Sequence, residues 1–325
     1  MRIVTLTLHP AIDRVLNIHE LKPGETFDGQ LALSVPAGKG VNTARSLSCL
    51  SPKLRGKIVA AAWLGAGEAR WFSEQLAHSS KIRAAICSRP CFTRYAYTIL
   101  EASGRETHIK EFMPAVTPAE EKSLLSFWRK TVQRGDLVAL CGSAPKGISE
   151  KTISSIFETS RRVASMIVAD TNGIALNAAG RMNLDGMKGN AAEIGEWLEL
   201  DEALHIEMKS HRAALWKAFR REGSPNTILV TLGATGAVIA TSSELYFAGA
   251  PRLPTNLGKS ATGCGDAATA GWIWALNEQR PHAEQLARAV ACGSAKFASA
   301  DPGALDEKFV RKLMRDIRVE SVAGY

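Results

Sequence analysis

The chain has 325 residues, 46% hydrophobic and 22% charged, with a formal net charge of +8. That length can bury a large core as one α/β domain or two smaller ones, and the composition excludes a disordered or fibrous chain. The basic excess is spread along the sequence without a run of five or six like charges, which fits a general attraction for small anions better than a nucleic-acid surface. None of the six cysteines forms a Cys-x-x-Cys pair, so buried, reduced thiols in a cytoplasmic protein are expected. Met1 to Leu8 is too short and mixed for a signal-peptide core, and no apolar run reaches the ~20 residues that span a bilayer.

Taken in order, Ile3 to Leu8 alternates apolar residues with Thr, a strand that breaks at His9-Pro10. Asp13 is expected just beyond it, where ligands gather at strand ends; a turn-stabilising Asp has the same signature. Residues 14–36 are short apolar stretches cut by Pro23-Gly24 and Asp28-Gly29, read as strands and turns. Pro36 to Arg45 is a glycine turn opening a helix, with Gly38, Lys39 and Asn42 at its start. Lys57 to Gly65 and Lys81 to Cys87 read as buried strands around an amphipathic helix over 68–79. Thr93 to Glu101 and Glu106 to Phe112 read as a hairpin, with Arg94 opening its first strand.

Beyond residue 115 helical and strand patterns alternate as in a parallel sheet. The spacing predicts helices over 117–133, 149–162, 174–181, 191–200, 210–222, 266–278 and 283–300. It predicts strands over 136–141, 165–170, 227–232, 236–241 and 244–248. Asn190 and Glu193, three apart, share a face of a helical turn; they suit an N-cap with a first-turn Glu, or ordered water around Mg²⁺ and a nucleotide phosphate. Ser260 to Trp272 leads through Gly263, Cys264 and Gly265 into Asp266 and an apolar helix. Free N–H groups at such a helix start seat phosphate oxygens. A carboxylate there suits a base taking a proton from an attacking hydroxyl, or else an N-cap. Gly258-Lys259-Ser260 mimics a P-loop tail, but Leu253 stands where that motif needs Gly.

Several of these stretches together resemble the PfkB, ribokinase-like, carbohydrate kinases, in their 1-phosphofructokinase and tagatose-6-phosphate kinase branch. Thr7-Leu8-His9-Pro10-Ala11-Ile12-Asp13 resembles the T-L-N-P-A-I-D opening, and Pro36-Ala37-Gly38-Lys39-Gly40-Val41-Asn42 resembles P-G-G-K-G-x-N. Gly142-Ser143-Ala144-Pro145 is similar to G-S-x-P, Lys188-Gly189-Asn190 to K-P-N, and Thr231-Leu232-Gly233-Ala234-Thr235-Gly236 to S-L-G-x-x-G. Gly263-Cys264-Gly265-Asp266 is similar to the closing Gly-Ala-Gly-Asp. Departures stand at His9, Ala37, Gly189, Ala261 and Cys264.

The resemblance implies a single ribokinase-like α/β domain over 1–325, a mostly parallel sheet flanked by helices. A small β-sheet lid would be inserted from 14–36 and 93–112 and would favour a homodimer. It implies ATP and Mg²⁺ as cofactors and a sugar phosphate as partner, with fructose 1-phosphate going to fructose 1,6-bisphosphate. Tagatose 6-phosphate, fructose 6-phosphate, an unphosphorylated sugar or nucleoside, or a non-catalytic sensor are the alternatives. Asp266 would be the base, with Gly263, Cys264 and Gly265 forming the anion hole. Lys39 and Arg94 would hold the sugar's phosphate, Asp13 and Asn42 its hydroxyls, and Gly38 and Ser143 would lie beside them. Asn190, Thr231, Gly233 and Gly236 would line the nucleotide, and Glu193 would face the metal.

Overall fold

The computed structural model describes residues 1–254 and 260–322, so Gly258 and Lys259 lie outside the described residues. β1 (Ile3–Thr7) is buried at every position. β2 (Ala11–Ile18) and β3 (Gln30–Ala37) then leave it and pair antiparallel with each other. α1 (Lys39–Leu50), β4 (Ile58–Gly65), α2 (Ala69–Ser80) and β5 (Arg83–Arg89) return to β1, with β4 and β5 parallel to it. β6 (Tyr95–Glu101) and β7 (Glu106–Lys110) form the expected hairpin and complete a separate four-stranded sheet, ordered β3-β2-β6-β7.

From α3 (Pro118–Thr131) onward, helices and strands alternate: β8 (Leu137–Cys141), α4 (Glu150–Arg161), β9 (Met166–Asp170), α5 (Gly173–Ala179) and β10 (Gly186–Asn190). α6 (Ala191–Trp197), α7 (Lys209–Ala218) and β11 (Ile228–Thr231) continue the series. β12 (Gly236–Ala240) and β13 (Leu245–Gly249) extend the edge antiparallel. α8 (Cys264–Asn277), α9 (His282–Lys296), α10 (Glu307–Asp316) and β14 (Val319–Ser321) close the chain. The ten-stranded sheet runs β14-β13-β12-β11-β10-β9-β8-β1-β4-β5, parallel from β11 to β5.

Strands buried on both faces explain the two helical layers. Along β4, Ile58, Ala60, Ala62 and Leu64 face one core, while Val59, Ala61 and Trp63 face the other. The first core takes Val41, Ala44 and Leu47 of α1 and the apolar faces of α2, α8, α9 and α10. The second takes Leu124 and Trp128 of α3, Ile153 and Phe157 of α4, and residues of α5, α6 and α7. Helix starts follow local chemistry: Thr117 and Glu120 form a capping box with Pro118 behind the cap, and the Ser149 side chain caps α4. Trp272 and Trp274 are buried helix-packing residues, as expected; their indole N–H groups donate to Gln285 and Glu278.

Several expectations need correction; β5, expected as a buried strand, is the sheet edge and buries only Cys87 and Arg89. Asp13 lies inside β2, paired with Val35 and Ala96, and not beyond β1, so the small sheet begins at Ala11. β10 was not expected, because Gly-Met-Lys-Gly-Asn carries none of the β-branched or aromatic residues that mark a strand; its neighbours β9 and β11 impose it. α10 and β14 were also unforeseen. α8 starts at Cys264, two residues before Asp266, with Gly263 as its cap. The cysteines are free, but only Cys87, Cys141 and Cys292 are fully buried. No helix among the described residues is long and apolar enough to cross a membrane.

Candidate active site

The C-terminal ends of the parallel strands and the N-termini of α1 and α8 converge on one place. β1 ends at Thr7, β8 at Cys141, β9 at Asp170, β10 at Asn190 and β11 at Thr231, the last two opposite each other in register. Gly38 makes the sharp entrance to α1 at φ 112°, where a Cβ would lie 2.8 Å from Thr7 and 2.9 Å from Pro10. Gly263 caps α8 at φ 85°, and a Cβ there would overlap the Pro302 carbonyl. The Cys264 N–H bonds the Ala261 carbonyl at 3.3 Å. The rest of the first turn has no intrahelical acceptor and can meet an anion.

Asp266 is buried in that turn, and Asn42 of α1 donates to its Oδ2 at 2.8 Å. Burial, reinforced by the nearby Asp170 charge, raises the Asp266 carboxyl to about 7. Asn42 is thus brought to the carboxyl expected to act as base. Its own Oδ1 is buried with no hydrogen-bond partner among the described residues.

Asp170, the last residue of the strand expected over 165–170, is the hub that motif reading missed. Its carboxylate is fully buried, accepts from Lys188 at 3.1 Å and Thr269 at 2.5 Å, and pairs with Lys39 at 3.4 Å. Burial works to raise its pKa, but the charges of Lys188 and Lys39 and the Thr269 and Lys188 hydrogen bonds hold it below the usual carboxylate range. Lys39 also stands 3.7 Å from Glu193, and the Asp170 charge, above all, raises its pKa. Lys188 approaches Gly265 in the α8 turn, 3.6 Å from where a Cβ would sit. A lone Asp closing a buried strand was the only sequence signal for this hub.

Asn190 and Glu193 form a full capping box at the start of α6, so the local reading holds. Glu193 Oε2 accepts from the Asn190 N–H at 2.8 Å, while Oε1 turns toward Lys39. Gly233 (φ 61°) and Gly236 (φ 128°) bound the tight turn between β11 and β12, beyond Thr231.

Arg94 faces a different carboxylate. It donates to the His9 carbonyl at 3.1 Å and the Pro10 carbonyl at 3.2 Å. Burial raises Asp13 to about 6, against the pull of Arg45, Arg94 and Lys110. His9 lies 3.4 Å from Ser143 and is held neutral, at about 4, by burial and then by Arg94 and Arg89. Asp13, Val15, Thr98, Leu100 and Glu106 of the small sheet share a cleft with Ser260, Thr262, Ala300 and Pro302, so this sheet covers the approach to α8. The structure therefore gathers Lys39, Asn42, Glu193 and Asp266 around Asp170, and gathers Arg94, His9 and Ser143 beside Asp13 at the start of the small sheet. A larger open groove of about 800 Å³ lies beside Arg181, Arg221 and Asn226, at the opposite ends of β10 and β11 from this chemistry.

A poised carboxyl at a helix N-terminus, set at the strand ends of a mostly parallel sheet and covered by a second sheet, defines a ribokinase-like α/β enzyme. The model of the pfkB family carbohydrate kinases matches residues 7–307, and the chain belongs to that family of enzymes that transfer phosphate to an alcohol group. It is similar to the 1-phosphofructokinase of Bacillus subtilis (strain 168), 26% identical and covering 98% of this chain and 99% of that one. It is also similar to the 1-phosphofructokinase of Rhodobacter capsulatus, 28% identical over 99% and 98%. Phosphofructokinase-2 from Escherichia coli shares the fold, with a TM-score of 0.86 at 21% identity over 97% of this chain and 98% of that one. A carbohydrate kinase from Agrobacterium tumefaciens shares it at a TM-score of 0.70 and 18% identity, over 99% of this chain and 100% of that one.

Proposed function

We propose that this enzyme transfers a phosphoryl group from ATP to a hydroxyl of a ketohexose phosphate, with fructose 1-phosphate going to fructose 1,6-bisphosphate in the cytoplasm. One observation carries the reading: a buried carboxyl poised at about 7 at the α8 N-terminus, beside the unpaired Oδ1 of Asn42. The relatives named 1-phosphofructokinase favour this substrate.

In this reading Asp266 takes the proton of the attacking hydroxyl while Asn42 orients that carboxylate and accepts from a neighbouring sugar hydroxyl. The first turn of α8, from Gly263 through Cys264 and Gly265, receives the transferring group, where positioning and electrostatics supply most of the rate. Lys39 and Lys188, both held by Asp170, stand on that side. Arg94, with Ser143 beside it, reads the phosphate already on the sugar; the pairing of Lys39 with Asp170 leaves that task chiefly to Arg94. Asp13 accepts from the sugar hydroxyls. Asn190, Thr231, Gly233 and Gly236 line the nucleotide. Glu193 would hold Mg²⁺ through water, because its capping box uses only Oε2 and leaves Oε1 paired loosely with Lys39 at 3.7 Å, and Mg²⁺ retains most of its water shell. When bound, Mg²⁺ would neutralise charge on the ATP phosphates. The small sheet acts as a lid that excludes water.

An assay of ADP formation over ketose phosphates, free sugars and nucleosides tests this reading; turnover confined to free sugars or nucleosides would replace it. Arg94→Ala is expected to raise KM for the ketose phosphate about tenfold or more and to leave KM for ATP nearly unchanged, since charge-assisted bonds contribute roughly 1.5–3 kcal/mol each. Arg94→Lys should recover part of the loss, because a point charge cannot reproduce the planar fork. Equal damage to phosphorylated and free sugars would reduce Arg94 to a support for the His9–Pro10 turn, whose carbonyls it binds.

The lid also presents Leu31, Ile109 and Phe112 to solvent, Phe112 at 93% exposure. We propose that a second copy of this chain covers them. Sedimentation should show a dimer that Ile109→Asp shifts toward monomer; a parent that stays monomeric at every concentration would end the idea.

A further inference from the structure

Lys296, the last residue of α9, is 0% exposed and takes no part in the chemistry described above. Lysine is almost never fully buried, because removing an ammonium from water costs several kcal/mol even when it finds partners. Its Nζ donates to the Ser299 carbonyl at 2.6 Å. A neutral donor would satisfy that carbonyl without the desolvation of an ion, so the hydrogen bond alone does not account for a charge at this position.

The surroundings of Lys296 point to the catalytic turn. One helical turn earlier, a Cβ on Gly293 would lie 3.2 Å from the Cys264 carbonyl. The next residue, Phe297, accepts the Ser260 N–H at 3.1 Å, and Pro302 packs against Gly263. The end of α9 and the segment after it therefore back both ends of the turn that opens α8. Asp301 in that segment is pinned by Arg45 at 2.7 Å and bonds the Gly303 N–H at 2.9 Å. Burial lowers the Lys296 pKa, while Cys264, Asp301 and Asp266 favour the charged form.

We propose that Lys296 is a fixed internal cation behind the phosphate-binding turn of α8, a positioning residue that braces this turn and adds positive charge beneath it. The proposal rests on reading that turn as the seat of the transferring phosphoryl group. Negative charge gathers there during transfer, and a preset charge in a water-poor site needs no reorganisation at the moment of reaction.

The test uses the full chain. Lys296→Met keeps bulk and removes charge; kcat is expected to fall about tenfold or more, with KM for the sugar phosphate within about twofold. Calorimetry should show ADP bound nearly as well by the variant, and ADP with aluminium fluoride, which mimics the transferring group, bound about tenfold more weakly. Lys296→Ala, which leaves space, should regain activity with added methylammonium. Unchanged kcat, an unchanged ratio of the two affinities, or activity loss without amine recovery would each overturn the proposal and leave Lys296 a packing residue.

If neither variant folds, the parent decides. With the charge built in, exchanging small monovalent cations for tetramethylammonium at constant ionic strength should change its rate by less than about twofold. A rate that collapses without a small cation would mean that this charge comes from solution. A parent that phosphorylates no sugar overturns the reading of the site; a parent that does, with Lys296→Met at full rate, overturns this proposal alone.

Discussion

Asp266→Asn is expected to lower kcat on the order of 10²–10⁴-fold while ATP binding is largely retained, because the substitution keeps size and removes only the proton acceptor. Burial and the Asp170 charge hold this carboxyl at about 7, so parental activity should rise with pH through that value and fall tenfold per pH unit well below it.

The same shift has a consequence for stability, with opposite sign. A carboxyl raised from 3.8 to about 7 favours the native state fully below its unfolded value, and that contribution is lost as pH rises through 7. At pH 8 the buried charge should therefore cost on the order of 2–4 kcal/mol, which Asn does not incur. The variant should melt above the parent at pH 8, with the difference shrinking through pH 7 and vanishing near pH 4. A variant that turns over within a few-fold of the parent would make Asp266 a helix residue without a role as base. Thermal melts and kcat across pH, measured on both proteins, decide the two halves separately.

The second large effect is expected at Asp170. Asp170→Asn leaves the Lys188 ammonium, 3% exposed, without its counter-charge, and leaves Lys39 with Glu193 alone among the carboxylates it pairs with. Removing one partner of a buried ion pair typically costs about 3–5 kcal/mol, which urea unfolding should read as a lower midpoint at unchanged slope. The loss of this negative charge also relieves Asp266, one of whose causes for a raised pKa is Asp170. Whatever activity survives should therefore shift its pH profile toward acid. A variant as stable as its parent, with an unmoved profile, would show that the two lysines are neutralised from elsewhere.

Much of this protein was legible in its sequence because the signals were local. Buried strands such as Ile58–Gly65 are apolar runs, α4 carries its apolar residues at helical spacing, and the hairpin of β6 and β7 is announced by alternation around a turn. Gly38 and Gly263 were visible as punctuation, and each proves to stand where a side chain would collide with neighbouring backbone. The sequence also marked Asp266 by its place after a glycine turn, and marked the Asn190–Glu193 pair by a spacing that is its own cap.

What lay beyond the sequence depends on partners far away in the chain. β10 is a strand because β9 and β11 supply its hydrogen bonds, whatever the propensity of Gly-Met-Lys-Gly-Asn. Asp13 is expected just beyond a strand end, but pairing with β3 and β6 draws it into the small sheet. Asn42 and Asp266, 224 positions apart, become hydrogen-bonded only when α1 packs on α8. Asp170 acquires its ion pairs and hydrogen bonds from two lysines and a threonine on three other elements. Local sequence determines which backbone conformation a segment prefers. Only the packed sheet decides which buried charges face one another, because a carboxylate's energy and pKa are set by neighbours that the chain brings within a few ångströms.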